Sequence, residues 1–323
     1  MKRQYASEFV LSSSPHIRNK ESVPKIMYWV VGTLMLPVAA SIYFFRMNAI
    51  RVLLISIIFS LLTEFVFLLA RKKDISAVFD GSALITGILL ALTLPPGLKS
   101  SYVAIGAFVA IALGKQVFGG LGYNIFNPAL VGRAFLQAAF PVAMTNWVPP
   151  VVQKVVDAKT FATPLGGFKF SHVLTPYKDL LIGNTGGSLG ETSAILIIIG
   201  GLILLFKKYI DWRIPVGILT SVFVFEGALW IANSEKFADP LYFLFAGGLL
   251  LGAFYMATDM VTSPLTPKGT WIYAVGIGFL VVLIRVFGGL PEGVMYSILI
   301  MNSFVPLLNR YTRPKILGEG GKK

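Results

Sequence analysis

The sequence predicts an all-α integral membrane protein of about ten transmembrane helices, on three observations. Of its 323 residues, 55% are hydrophobic and only 13% are charged, whereas a soluble globular protein carries roughly 25% charged residues. Its mean hydropathy is +0.75. Apolar runs recur along the chain at lengths near the ~20 residues that a helix needs to cross a bilayer. The chain is therefore organised by membrane segments rather than by soluble domains.

Ten apolar segments follow one another along the chain. They cover residues 27–46, 50–70, 78–95, 101–118, 125–141, 191–207, 213–232, 241–258, 270–288 and 291–308. Several are short or interrupted by glycine and proline, notably the third, fifth, eighth and tenth. In lipid, such interruptions survive only where other helices or a cavity satisfy the freed backbone groups. We therefore expect these segments to contact other helices or a cavity.

The positive charge follows the predicted topology. With the amino terminus placed in the cytoplasm, about twice as many Lys and Arg residues fall inside as outside, which is the direction of the positive-inside rule. This accounts for the net charge of +13 without a nucleic-acid partner. Both termini are then cytoplasmic. The predicted organisation is a cytoplasmic segment 1–26, a first five-helix repeat 27–141, an outer-face loop 142–190, a second five-helix repeat 191–309 and a basic tail 310–323.

An internal repeat supports this division. The sequence Val-Phe-Gly-Gly-Leu at 117–121 recurs at 286–290, and the same offset relates Thr-Leu-Pro at 93–95 to Thr-Ser-Pro at 262–264. Each half holds five segments, an odd number, so the second half enters the membrane from the opposite face. We expect two inverted five-helix repeats, the urea-channel-like architecture, with broken helices and ligand sites where the repeats meet. The alternative is that Gly-Gly pairs merely end helices.

The residue types limit the chemistry. The chain has no cysteine, so it offers neither a thiolate nucleophile nor ligands for an iron–sulfur cluster. Its two histidines, His16 and His172, lie far apart outside the apolar segments, which argues against a haem or metal site. No catalytic residue stands out. If the protein carries electrons, it holds an organic cofactor.

One motif in the outer loop carries chemistry. Residues 157–163 read Asp-Ala-Lys-Thr-Phe-Ala-Thr and resemble the flavinylation site Asp-x-x-Ser/Thr-x-Ala-Thr of the NqrB/RnfD family, with Phe161 where the family often has Gly. The resemblance implies that Thr163 is joined through its hydroxyl to the phosphate of FMN. A threonine hydroxyl is a poor nucleophile, so a separate FMN transferase is expected. Pro164 biases Thr163 towards an extended conformation, which we expect to expose the side chain.

Further motifs extend the resemblance over nearly the whole chain. Residues 12–17, 80–96 and 119–133 resemble the amino-terminal signature, the third helix and the most recognisable membrane motif of that family. The short amino-terminal segment favours its RnfD branch. The resemblance implies an electron-transfer subunit of a complex that couples ferredoxin and NAD to transport of Na⁺ or H⁺ across a prokaryotic cell membrane.

Five further residues are candidate flavin contacts. Asn124 and Asn127 resemble the contacts of a second, non-covalent riboflavin near the inner face, and the alternative is that they cap a half-helix or tie helices together. Arg133 is expected to stabilise the anion of a reduced flavin or to pair with a carboxylate of a neighbouring subunit. Tyr296 and Asn302, with Glu292 in the same counterpart region of the second repeat, are expected nearer the outer face, by the FMN.

Ionisable residues inside apolar segments are expected to have a structural or functional role, because burying charge in lipid is costly. Lys115 and Arg285 lie near segment ends, where snorkelling to the interface explains them. Glu226 is a candidate for an ion path. Their burial in the folded chain decides between these interpretations.

The resemblance also implies partners: other membrane subunits of an Rnf-type complex, a second FMN-carrying subunit on the outer side, and cytoplasmic iron–sulfur subunits that handle ferredoxin and NAD. The competing interpretation is a small-solute channel or transporter without a redox cofactor, because inverted five-helix repeats also build urea channels. The motif at 157–163 favours the flavin subunit, since a channel has no use for it.

Overall fold

The computed structural model describes residues 21–150 and 162–314. Within those residues all regular structure is helical and no strand occurs, which confirms the all-α prediction. The signature at 12–17, most of the flavinylation motif (157–161) and the end of the basic tail (315–323) lie outside the described residues.

The first half contains five longer helices and two irregular turns, which correspond to the first five predicted segments. They are α1 (Val23–Phe45), α2 (Met47–Ala70), a 3₁₀ turn (Ile75–Asp80), α3 (Ser82–Leu92), α4 (Ser100–Ile111), a π-helical turn (Ala112–Gln116) that continues α4, and α5 (Pro128–Ala139).

The segment after α5, predicted as an outer-face loop, contains short helices in its described part. They are α6 (Pro141–Met144), α7 (Pro164–Ser171), α8 (Tyr177–Ile182) and a 3₁₀ turn (Leu189–Glu191). The second half comprises α9 (Ala194–Phe206), α10 (Arg213–Ala232), α11 (Pro240–Phe245), α12 (Leu249–Leu251) with a π-helical turn (Gly252–Met256), α13 (Pro267–Phe287) and α14 (Val294–Tyr311).

Among the described residues, four helices are long and apolar enough to cross a membrane: α1, α2, α10 and α13. The chain is thus a membrane protein. Helices α3 and α9 are also apolar but have only 11 and 13 residues, and the eighth predicted segment is divided among α11, α12 and a π turn. In contrast, α14 runs unbroken through Pro306.

Several helix starts follow directly from a local pattern. In each, a polar residue accepts a hydrogen bond from a backbone N–H of the first turn, and proline occupies the next position, where its missing N–H is not needed. The pairs are Asn127-Pro128, Thr163-Pro164, Asp239-Pro240 and Thr266-Pro267. The predicted flavin threonine is therefore also a helix cap.

The helices of the two halves have corresponding neighbours. In the first half α2 packs against α3 and α4, and α4 packs against α5; in the second half α10 packs against the π-helical turn Gly252–Met256 and α13, and α13 packs against α14. Contacts of α1 with α9 and of α5 with α14 join the halves. The ends of α5 and α14 thus lie where side chains from both halves meet.

Helices α4 and α5 approach each other closely because one residue has no side chain. A Cβ atom on Gly132 would lie 2.7 Å from the backbone oxygen of Gly106 and 2.8 Å from the Cβ of Ala110. Neither neighbour can rotate away, since one belongs to the backbone and the other is a methyl group fixed to it.

We expect Gly132→Val to destabilise the protein by about 1–3 kcal/mol, the usual result of overpacking a filled interior. Gly32→Val in α1 is the matched control, because a Cβ there meets nothing within 4 Å. The thermal midpoints of both purified variants in one detergent test this. Equal midpoints would show that α4 and α5 can separate freely.

Candidate functional site

Thr163 caps the amino-terminal end of α7. Its backbone is extended, with φ −67° and ψ 157°, as the following proline favours. Its Oγ1 accepts a hydrogen bond from the N–H of Gly166 at 3.1 Å. The residue is only 8% exposed, so the prediction that Pro164 exposes the side chain is wrong. The hydroxyl turns back to satisfy the first turn of its own helix.

Hydrogen bonds from two side chains, Tyr242 and Lys169, attach α7 to the second half of the chain. The Tyr242 hydroxyl donates to the carbonyl of Pro164 at 2.8 Å. The Lys169 ammonium donates to the carbonyls of Arg285 (2.7 Å) and Leu290 (3.2 Å) and to a third between them. Burial lowers the pKa of the Lys169 ammonium, and these carbonyls replace the water that it loses. The Thr163 helix is therefore held against the end of α13.

Four charged side chains form a cluster beside this attachment: Arg133, Glu191, Arg285 and Glu292. Arg133 donates to Glu292 at 2.9 Å, with side-chain exposures of 12% and 17%. The other Glu292 oxygen accepts from the N–H of Gly248 at 2.5 Å. The Glu191 carboxyl faces Glu292, and its Oε1 is buried with no hydrogen-bond partner among the described residues. We call these four residues the arginine–glutamate cluster.

Arg285 is the most deeply buried member of the cluster. It is 2% exposed, so the prediction that it snorkels to the interface is wrong. Its guanidinium donates to the carbonyls of Phe243 (2.6 Å) and Ala246 (3.0 Å). The next residue, Gly247, has φ +73°, and a Cβ there would lie 2.7 Å from the side chain of Leu165. Arg285 therefore stabilises the same backbone bend against which Leu165 of α7 packs.

A cavity of about 460 Å³ opens next to the cluster. Both Arg133 and Tyr296, two of the predicted flavin contacts, line it. The remaining walls are Gln137, Thr145, Trp147, Leu290, Pro291, Glu292 and Met295. The structure therefore brings these two predicted residues together, at the end of α13 to which Lys169 holds α7.

A larger cavity, of about 780 Å³, contains both Asn124 and Asn127 in its wall. Its other polar lining includes Lys115 and Asp259, and apolar side chains from both halves complete it. Small-molecule and cofactor sites are typically lined by apolar side chains with a few polar groups, as this cavity is. The two predicted asparagines are brought together here, away from Arg133 and Tyr296.

The two asparagines differ in what their side chains do. Asn127 caps α5, since its Oδ1 accepts from the N–H groups of Ala129 (3.1 Å) and Leu130 (3.3 Å). Its Nδ2 donates to the carbonyl of Met256 at 3.1 Å, so the capping alternative describes it well. Asn124 makes a long side-chain hydrogen bond, 3.3 Å to the carbonyl of Phe126, and its amide also interacts with the Asp259 carboxyl. Unlike Asn127, it does not cap a helix among the described residues.

Asn302 lines neither cavity. It is fully buried on α14, and in the amide orientation that satisfies both atoms it donates to the Ile298 carbonyl (3.2 Å) and accepts from the Asn127 N–H (3.1 Å). It also meets the hydroxyl of Tyr273 at 2.8 Å. The residue therefore joins the start of α5 to the second half and does not belong to the wall of either cavity.

Lys115 is a functional candidate whose role the sequence did not reveal. It is 1% exposed and donates to Glu64 at 2.9 Å and to the Ser82 hydroxyl at 2.6 Å, so the snorkelling prediction is wrong here too. It lies in the π-helical turn after α4, and such turns are frequent at functional sites. The only signal in the sequence was the presence of two opposite charges in apolar segments.

Helix α5 connects the two cavities. Asn127 at its start lines the larger cavity, and Arg133 lines the smaller one. Six residues separate them, which corresponds to roughly 9 Å along a helix. Whatever occupies the two cavities therefore lies against one short, buried helix.

The chain is similar to known proteins along nearly its whole length. Residues 10–318 match the model of the NQR2, RnfD, RnfE family. The chain is 46% identical over 321 residues to a subunit of the proton-translocating ferredoxin:NAD(+) oxidoreductase complex of Clostridium ljungdahlii, a match that covers 96% of each chain. It is 43% identical over 314 residues to the counterpart in the Na(+)-translocating complex of Acetobacterium woodii, covering 95% of each.

A third relative is a subunit of the ion-translocating oxidoreductase complex of Actinobacillus succinogenes, 35% identical over 350 residues and covering 97% of this chain and 98% of the relative. The resemblance inferred from the motifs is thereby confirmed. The chain belongs to the NQR2, RnfD, RnfE family.

Proposed function

We propose that this protein is the membrane electron-transfer subunit of an ion-translocating ferredoxin:NAD oxidoreductase complex, with FMN attached to Thr163 and a riboflavin in the larger cavity. The relatives named above are subunits of such complexes. The observation that carries the flavin part is the position of Thr163, the last residue of the flavinylation motif, at a helix start held against the arginine–glutamate cluster.

The surroundings of Thr163 fit a phosphate ester. A helix start presents backbone N–H groups and the positive end of the helix dipole to an anion. A Cβ on Gly166 would meet only Thr163 Oγ1 within 4 Å, and one on Gly167 only the carbonyl of Val173. The glycine pair thus leaves space beside the hydroxyl. The hydrogen-bond partner of this hydroxyl is a backbone amide rather than a base, so attachment depends on an FMN transferase.

The larger cavity fits an uncharged flavin. Its lining is mostly apolar, as the ring system requires, and Asn124 offers donors and an acceptor to the alternating polar edge of the ring. Lys115, which is paired with Glu64, and Asp259 add charged groups to the same wall. Arg133 and Tyr296 would then face the FMN side, as the smaller cavity next to the α7 attachment supports.

When bound, the flavins supply the redox chemistry, and this chain determines their positions and electrostatic surroundings. Helix α5 contributes residues to the walls of both cavities. Hydrogen bonds fix its start to Asn302 and its middle to Glu292, through Arg133. The chain thereby holds two flavin sites at a constant separation through a low-dielectric interior.

The topology completes the proposal. Ten segments form two inverted five-helix repeats in a prokaryotic cell membrane, supported by the corresponding helix neighbours in the two halves. Both termini are cytoplasmic, so α7 faces outward towards a second FMN-carrying subunit. The larger cavity faces the cytoplasmic iron–sulfur subunits that handle ferredoxin and NAD.

The test is a flavin analysis of the purified complex. After denaturation, one flavin should stay with this chain on a gel under ultraviolet light, and riboflavin should appear in the supernatant. We expect Asn124→Ala to weaken riboflavin binding roughly tenfold, since an unmade buried hydrogen bond costs about 1–3 kcal/mol.

Asn48→Ala is the matched control, because Asn48 is exposed at the start of α2 and should leave both flavins in place. A complex with no flavin on this chain and none released from it would favour the channel interpretation instead.

A further inference from the structure

Glu226 is a buried acid without partners. It lies in α10, one of the four long apolar helices, and is 0% exposed. Neither of its carboxyl oxygens has a hydrogen-bond partner among the described residues. No other buried carboxyl group in the described part of the chain lacks partners on both oxygens in this way.

The surroundings of Glu226 contain one nearby charge. Among the described residues Arg285 on α13 is the charged group that acts on it. The other charged group of α13, Lys268, lies at the opposite end of that helix. The uncharged polar side chains of the elements packed against α10 are those of Tyr242, Tyr255, Thr270, Trp271 and Tyr273.

Arg285 cannot neutralise every acid around it. Glu191, Glu226 and Glu292 all act on its guanidinium, and Arg133 is the second cation of this group. Lys169 directs its ammonium to three backbone carbonyls. Three carboxyl groups therefore share two guanidinium groups. An isolated buried carboxylate would be very unfavourable, and Glu226 is the acid with no hydrogen bond to stabilise it.

We propose that Glu226 is a proton-binding site: it holds a proton as the neutral acid in the resting protein and exchanges it as the charge around Arg285 changes. A metal ion is the weaker occupant, since no group of three or more His, Asp or Glu side chains in the described residues is placed to hold one. An ionisable side chain inside a membrane segment commonly marks an ion or proton path. The ligand is thus a single proton.

The inference that Glu226 exchanges its proton rests on the proposed function. An electron added to a flavin near the arginine–glutamate cluster makes the local potential more negative, so Glu226 holds its proton more tightly. Oxidation reverses the change and favours release. In this way Arg285, which also contacts the backbone bend under α7, links the outer flavin to an acid in α10.

Infrared spectroscopy of the whole purified complex tests the inference, because a protonated carboxyl has a carbonyl band separate from those of carboxylates and amides. We expect such a band that is lost in Glu226→Gln and kept in Glu235→Gln, whose side chain is exposed. It should also persist in Thr163→Ala, whereas its shift between oxidised and reduced complex should vanish there. This separates failure of the proton site from failure of the flavin assignment.

Stability gives a second readout. If Glu226 is neutral, Glu226→Gln is nearly isosteric and should leave the thermal midpoint and the flavin content unchanged. A carboxyl band that Glu226→Gln does not alter would overturn the inference. So would a large change in the midpoint of that variant, which would indicate that Glu226 is an ionised partner of Arg285.

Discussion

Replacing Thr163 by alanine is expected to remove covalently bound flavin from this chain completely, because the other described residues at the start of α7, Ala162 and 164–166, carry no hydroxyl. The change also removes a helix cap, which by itself costs about 1 kcal/mol. The measurement is in-gel fluorescence of the denatured complex, followed by mass spectrometry of the peptide that contains residue 163.

Three companion variants separate attachment from capping. Thr163→Ser keeps both the hydroxyl and the cap and should keep the flavin. Thr163→Asn keeps a good cap without a hydroxyl, so it should lose the flavin while folding normally. Ser171→Ala removes an exposed hydroxyl at the other end of α7, away from both cavities, and should change nothing. A flavin-bearing peptide in Thr163→Asn would place the attachment elsewhere and end the proposal made for this residue.

The dual role of Thr163 shows how far local sequence reasoning extends. The pair Thr163-Pro164 correctly predicts the extended backbone, by the same rule that places Asn127 before Pro128. It does not predict where the hydroxyl turns, since capping depends on whether residues 164–171 become helical. That outcome is decided by Tyr242 and Lys169, whose contacts join α7 to parts of the chain far away in sequence.

Helix positions were predictable where the apolar run is long and unbroken. The segment 213–232 coincides with α10, whereas the segment 241–258 divides into α11, α12 and a π turn. Apolar composition alone cannot locate such breaks, because they are stabilised by tertiary contacts. The guanidinium of Arg285, for example, bonds two carbonyls at the bend between α11 and α12.

The buried charges were the least predictable feature. Lys115 and Arg285 lie near the ends of apolar segments, where the sequence favours snorkelling, yet both are buried. Their partners come from distant positions: Glu64 is 51 residues from Lys115. A single sequence reveals that such charges exist but not which of them meet, and pairing is what makes their burial possible.

The Lys115–Glu64 pair should therefore produce the largest stability effect in the chain. Its side chains are 2% and 4% exposed, and removing one partner of such a pair leaves an uncompensated buried charge. We expect Lys115→Met to destabilise the protein by about 3–5 kcal/mol. Unfolding of the purified protein in mixed micelles measures the change.

The exposed pair Lys25–Glu21 has the same N···O distance, 2.9 Å, but side-chain exposures of 48% and 33%, so Lys25→Met is the matched control and should have little effect. The double variant Lys115→Met with Glu64→Leu should recover much of the loss, because two apolar groups replace both charges. If Lys115→Met behaves like Lys25→Met, the pair is not the link between α2 and the π turn. If the double variant recovers stability but does not bind riboflavin, the Lys115 side chain acts on the ligand of the larger cavity as well as on the fold.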